Sequence, residues 1–125
     1  MKADLDLADM TDTPLATAEQ LSVCERFGSE VVVATSDTKV GIALSTLDQL
    51  PLNAIRHKPS NGTCGWYIWG GEYSPDPDFF QALHLAHLSK YCQTIIPYLA
   101  LAPGWGVILA PDYEDVWFDE RRLVE

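Results

Sequence analysis

Two histidines three residues apart are the first candidates for chemistry in this chain of 125 residues. On an α-helix, His84 and His87 would lie on one side, where their imidazoles could hold one metal ion. No second ligand pair stands at a characteristic spacing, although Asp78, Cys64 or Cys92 could complete a site if the fold brought them near. The pattern favours histidines at the core edge or surface, with a small metal-binding domain as an alternative.

Nucleophilic and acid–base chemistry have weaker support in the sequence. Cys24, Cys64 and Cys92 are an odd number at wide spacing with no CxxC pair, which predicts reduced, buried thiols and a cytoplasmic protein. No local motif marks any of them as a nucleophile. The adjacent carboxylates Glu114 and Asp115 could suggest acid–base work, but such chemistry needs a large cleft, and this chain is small. We therefore expect no enzyme and no cofactor.

Aromatic side chains beside carboxylates are the stronger signal. The chain has four tryptophans, and tryptophan, tyrosine and acids together are typical of interface hot spots, although tryptophans can also simply fill a core. We predict a partner-binding surface made of Trp66, Trp69, Glu72, Tyr113, Glu114, Asp115, Trp117 and Asp119. A homodimer formed through the tryptophans is an alternative.

The central element that must position these groups is a predicted strand running from Gly65 to Glu72. It is apolar and closed by glycines, which predicts a short buried strand ending in a turn. The following Asp76-Pro77-Asp78 is typical of a helix start. A stripe at helical spacing then predicts a helix that carries Phe80, Leu83, His84, His87, Leu88 and Tyr91 on one face.

The remaining elements follow from propensity and turn signals. Thr17 to Gln20 predicts a helix cap, and Leu21, Cys24 and Phe27 predict a short helix that ends at Gly28. The other predicted elements are a hairpin of strands 31–34 and 40–44, an exposed basic loop 56–62, a second helical piece 95–101, and strands 105–110 and 113–119. The expected fold is a single α+β domain over residues 15–125, with an antiparallel sheet of about five strands and two or three helices packed on one face. Residues 1–14 are expected to form a flexible acidic arm.

Composition limits the classes of partner. With 18 acidic and 8 basic residues the formal net charge is −10, which argues against nucleic acid, because binding to phosphates needs clustered lysine and arginine. No apolar run approaches the length of a membrane span. The acidity is compatible with simple solubility or with a basic protein partner.

The second half of the chain resembles a known family. The segments GWYIWGGE, DPDFF, LHLAHL, YLALAPGW and DYEDVWFDE are similar to the immunity protein 33 type domain, over about residues 62–124. These are small bacterial proteins assigned to the immunity side of polymorphic toxin systems. The matching positions are Trp66, Gly71, Glu72, Asp76, His84, His87, Pro103, Gly104, Trp105, Tyr113, Glu114, Asp115, Trp117 and Asp119. Gly106 and Val107 depart from the charged or bulkier pair expected there.

The resemblance implies binding rather than catalysis. An immunity protein would neutralise a cognate toxin, here through the aromatic and acidic surface, and the toxin domain would be basic if the acids pair with it.

Overall fold

The computed structural model describes residues 16–123. Its centre is a six-stranded mixed sheet with strand order β4-β1-β3-β2-β5-β6. The strands are β1 (Lys39–Ile42), β2 (Leu52–Arg56), β3 (Thr63–Gly70), β4 (Gln81–His84), β5 (Trp105–Ala110) and β6 (Tyr113–Phe118). One α-helix, α1 (Ala18–Phe27), precedes them, and 3-10 helices span Leu44–Thr46, Leu85–Lys90, Ile96–Tyr98 and Glu120–Leu123. The predicted α+β class is confirmed, but the fold is mostly sheet: the sheet has six strands and one parallel pair, β1 with β3, instead of about five antiparallel strands, and the described residues contain one α-helix instead of two or three. The predicted arm, 1–14, lies outside the described residues.

Helix α1 has the predicted boundaries because both of its ends are capped. The Thr17 hydroxyl accepts a hydrogen bond from the Gln20 backbone N–H at 3.1 Å, and the Gln20 side chain accepts one from the Thr17 N–H at 3.0 Å. Gly28 ends the helix at φ 84°, a conformation that glycine adopts without steric cost. Val23 and Cys24 then reach the main core.

The predicted hairpin of 31–34 with 40–44 is wrong. Val31 makes only an isolated bridge to Leu101, while β1 pairs in parallel with β3 and antiparallel with β4. The hairpin partner of the tryptophan strand β3 is β2, across a turn in which Asn61 and Gly62 both have positive φ. An Asn-Gly pair supplies such a turn, so this local signal was stronger than the β-branched run at Val31.

The helix predicted from Pro77 is also wrong. The Asp76 side chain accepts a hydrogen bond from the Asp78 N–H at 2.9 Å, and the Asp76 carbonyl accepts one from the Phe79 N–H at 2.9 Å, but the chain then extends into β4. Pairing with β1 fixes the β4 backbone along one edge, so the apolar spacing no longer decides the conformation. The second predicted helical piece, 95–101, is reduced to the 3-10 turn Ile96–Tyr98.

The sheet separates a packed face from an open face. On the packed face, Trp66 and Ile68 of β3 are fully buried with Val40, Ala54 and Val107, under α1 and the chain around Ile96–Tyr98. The hairpin of β5 and β6 was predicted correctly, and it turns at Asp112, whose φ is 60°. As expected, Cys24 and Cys64 are buried and unpaired, and Cys92 is half-buried.

Arg56 is the largest departure from the predicted exposed basic loop. It closes β2 with only 1% of its surface exposed, and its guanidinium donates to the carbonyl oxygens of Cys64, Val32, Leu99 and Leu101. Burial lowers the pKa of Arg56, yet an arginine remains charged in proteins. These carbonyls bind the charge in place of water and tie three chain segments together.

Candidate protein-binding surface

The open face is defined by two rows of paired residues that cross four neighbouring strands. One row consists of Trp69, Asn53, Ile108 and Asp115. The adjacent row consists of Tyr67, Ile55, Gly106 and Trp117. Paired residues on adjacent strands point to the same face, so aromatic and apolar side chains line the sheet on the side away from α1.

The loop after β3 adds further rings to this face. We call Tyr67, Trp69, Tyr73, Phe79 and Phe80 the aromatic cluster. The Phe80 ring lies 5.3 Å from Tyr67 and 6.0 Å from Trp69, and Tyr73 lies 5.6 Å from Trp69, all with steeply inclined planes. Edge-to-face pairs of this kind hold aromatic rings in fixed positions. Tyr73 nevertheless remains 60% exposed, so the cluster presents apolar area to the surface.

A groove of about 720 Å³ runs beside the aromatic cluster. Its lining residues are Ile55, His57, Lys58, Ser60, Asn61, Tyr67, Trp69, Tyr73, Phe80 and Arg122. The volume is in the range of ligand pockets, and the walls combine aromatic rings with basic side chains. We refer to this feature as the groove.

Arg122 reaches the groove from the far end of the chain. Its Nη1 donates to the Gly104 carbonyl oxygen at 2.8 Å, and its guanidinium carbon lies 5.0 Å from the Trp117 ring centroid. His57 Nδ1 lies 3.1 Å from the Arg122 carbonyl oxygen and must donate to it, because a carbonyl only accepts. Burial lowers the pKa of Arg122 without removing its charge. The 3-10 helix Glu120–Leu123 is thereby held against the sheet.

The predicted partner-binding residues do not form one surface. Trp69, Tyr113, Asp115 and Trp117 share the open face, while Glu72 is exposed in the turn after β3. Asp119 follows β6 and pairs with Arg121 at 2.7 Å; this hydrogen bonding lowers the pKa of Asp119 to about 2. The other two predicted residues, Trp66 and Glu114, are not on the open face.

Trp66 and Glu114 belong to the packed face. Trp66 was also predicted to contact a partner, but it is fully buried and its indole N–H donates to the Leu99 carbonyl at 3.0 Å, so its side chain does not reach the surface of this fold. Glu114 accepts hydrogen bonds from the Tyr98 hydroxyl and from Arg26, the latter at 2.8 Å. Both hydrogen bonds lower the pKa of Glu114, and the bond from Tyr98 has the larger effect. The bond from Arg26 fastens β6 to α1. Strand alternation separates these two residues, Trp66 and Glu114, from Trp69 and Asp115.

The two histidines do not lie on one side of an α-helix, which is the arrangement that suggested a metal site. His84 ends β4 and His87 lies in the following 3-10 helix, with ring centroids 6.2 Å apart and both side chains exposed. Within residues 16–123, no group of three or more His, Cys, Asp or Glu side chains could hold a metal ion.

Sequence reasoning placed Trp69 on a binding surface and residues 56–62 in an exposed basic loop, but it did not predict that they meet in a groove. Tyr67 could have been found, because it alternates with buried Trp66 and Ile68 and must therefore face the other side of the sheet. The approach of Arg122 to His57 and Lys58 has no local signal, since only the β2–β3 turn and the fold of 120–123 bring them together.

Comparison with known proteins identifies one family. A family model described as Imm33-like domain matches residues 19–119. This confirms the resemblance and extends it to α1, β1 and β2. No curated protein matches the chain, and no solved structure does. In the part of the chain that the structure describes, no helix is long and apolar enough to cross a membrane.

Proposed function

The chain belongs to the Imm33-like domain family, and from this premise we propose that it is an immunity protein that binds and neutralises a cognate toxin domain. The match over residues 19–119 is the observation that carries the proposal. The proposed activity is binding, and it needs a complementary surface rather than a catalytic group.

The open face is the proposed contact surface. Trp69 and Trp117 would supply the large aromatic area from which interface hot spots are built, with Tyr113 beside them. Asp115 on the same face, and Glu72 and Asp119 near its strand ends, would supply acidic contacts. The buried Trp66 and the bonded Glu114 are left out of this surface for the reasons given above.

The net charge supports a toxin domain with a basic surface. A chain with a formal charge of −10 attracts a basic partner over distances of about 10 Å at 0.1 M ionic strength. We expect the association rate with the toxin, measured by stopped flow, to fall as salt is added; a salt-independent rate would remove the role of steering. The cytoplasm is the proposed location.

Growth rescue tests the proposed function. Candidate toxin domains, encoded beside the gene, are expressed in a bacterial host with and without this chain, and growth is followed. The proposal predicts that growth is restored only when the chain is present, and that the two proteins copurify at equal stoichiometry. Failure to restore growth against every toxic neighbour, or a chain that sediments only as a stable dimer and binds none of them, would contradict it.

A further inference from the structure

The groove concentrates positive charge on a protein that is acidic as a whole. Lys58 and Arg122 line it together with His57, and none of its lining residues within 16–123 is an aspartate or glutamate. The chain has only 8 lysines and arginines, and two of them meet here although they are 64 residues apart in sequence (122 minus 58). This placement requires a reason other than general solubility.

Within residues 16–123 these basic groups form no ion pair, although the charge of Asp119 acts on Arg122 from nearby. Over residues 16–123, the two ion pairs are Arg26 with Glu114 and Arg121 with Asp119, and neither involves the groove. The one hydrogen bond given by the Arg122 guanidinium within this part of the chain uses Nη1. Its remaining N–H groups and the Lys58 ammonium are therefore able to donate hydrogen bonds to a ligand.

Aromatic rings form the other wall of the groove. Tyr67, Trp69 and Phe80 are locked by edge-to-face contacts, and His57 lies edge-on to Tyr67 with centroids 5.6 Å apart. A ligand that fits must therefore bring an apolar group for the rings together with an anion for the basic side chains. A carboxylate beside an apolar side chain has this chemistry, and arginine binds a carboxylate through paired hydrogen bonds.

We propose that the groove binds a segment of the partner protein in which an aspartate or glutamate stands next to an apolar side chain. The inference rests on the proposed function for the identity of the partner, and charge complementarity decides the type of segment. The toxin domain would thus combine a basic surface, attracted by the net charge, with one acidic segment that enters the groove.

Indole N–H signals in a ¹H–¹⁵N spectrum test this inference without the toxin. The probe is a capped peptide, Gly-Asp-Leu-Asp-Gly, titrated to about 10 mM, a range that detects weak binding. The inference predicts saturable shifts of the Trp69 signal and no shift of Trp66, whose N–H is bound in the core. A control peptide with lysine in place of both aspartates should produce no shift.

Matched variants locate the binding site. Lys58→Glu is expected to weaken the peptide shift at least about tenfold, whereas Lys90→Glu, equally exposed but outside the groove, should leave it unchanged. Both changes lie at exposed positions, and a Trp66 signal at its usual position reports that the fold is retained.

Three results would overturn the inference. These are no Trp69 shift with the acidic peptide, equal shifts with the lysine peptide, or undiminished shifts in Lys58→Glu. If growth rescue succeeds while the peptide fails, the immunity function stands and only the acidic-segment inference falls. If the peptide binds and no toxin is neutralised, the groove still binds acidic segments and the proposed immunity function falls.

Discussion

The Arg122 guanidinium covers the Trp117 ring, with its central carbon 5.0 Å from the ring centroid. This contact is close to Gly106, because a Cβ added there would lie 2.9 Å from Arg122 Nη2 and 3.4 Å from the Trp117 ring. A glycine in the middle of a strand normally weakens it. Here its missing side chain leaves room for a basic group that lines the groove.

Replacing Gly106 by alanine should therefore displace Arg122. We expect Gly106→Ala to shift the Trp117 indole N–H signal, since the guanidinium must move, and to change the free energy of unfolding by less than about 1 kcal/mol, since the end of a flexible side chain moves at low cost and alanine suits a strand better than glycine. Urea denaturation and the indole spectrum measure the two effects. Ser89→Ala, at an exposed position, is the control. An unchanged Trp117 signal would show that the contact has no such dependence on glycine.

Arg56 should be essential for folding. Arg56→Met removes the donor for four carbonyl oxygens, three of which belong to Val32, Leu99 and Leu101, and should destabilise the protein by about 3 kcal/mol or more in urea denaturation. The matched change Arg121→Met affects a side chain that is 87% exposed and should leave the urea midpoint unchanged. Equal midpoints for the two variants would refute the role assigned to Arg56.

The two faces of β3 predict different costs for similar changes. Trp66→Phe should lower the free energy of unfolding by about 2 kcal/mol, because it leaves a cavity and removes one of the two hydrogen bonds to the Leu99 carbonyl, the other coming from Arg56. Trp69→Phe, on the open face of the same strand, should cost less than half as much. Urea denaturation of both variants decides the matter, and a larger cost at Trp69 would mean that the faces are assigned wrongly.

Tyr98 should contribute to the free energy of unfolding at neutral pH, and this contribution should be lost at high pH. Burial, followed by the hydrogen bond with Glu114, raises the pKa of Tyr98 from 10.0 to about 12. The folded state thus favours the neutral phenol, so this contribution is complete below pH 10 and disappears as pH rises towards 12. Subtracting the pH–stability curve of Tyr98→Phe from that of wild type should reveal it. A difference curve that stays flat up to pH 12 would contradict the account.

The elements that were predicted correctly are those whose conformation is set by residues close together in sequence. Thr17, Gln20 and Gly28 cap α1, and Asn61-Gly62 forms the turn into β3. The β3, β5 and β6 segments were found because apolar residues run or alternate between turn signals. In each case the residues that set the conformation are neighbours in sequence.

Long-range pairing decided the elements that were missed. The stripe from Phe80 to Tyr91 has helical spacing, yet Phe80 joins the aromatic cluster, Leu88 enters the core and Tyr91 is exposed. Four residues of β4 pair with β1, which lies about 40 positions earlier in the chain, and no local pattern reports such a pairing. The groove was missed for the same reason, because Lys58 and Arg122 come together only in the folded sheet.

The affinity of open-face variants for a purified toxin domain tests the central claim most directly. With isothermal titration calorimetry, we predict that Trp69→Ala binds at least about tenfold more weakly than wild type, since a hot-spot aromatic contributes more than about 1.4 kcal/mol. Leu21→Ala, at a side chain of α1 that is 48% exposed, should bind like wild type. Wild-type affinity for Trp69→Ala together with weakened binding of Leu21→Ala would place the toxin on the opposite side of the molecule and contradict the account.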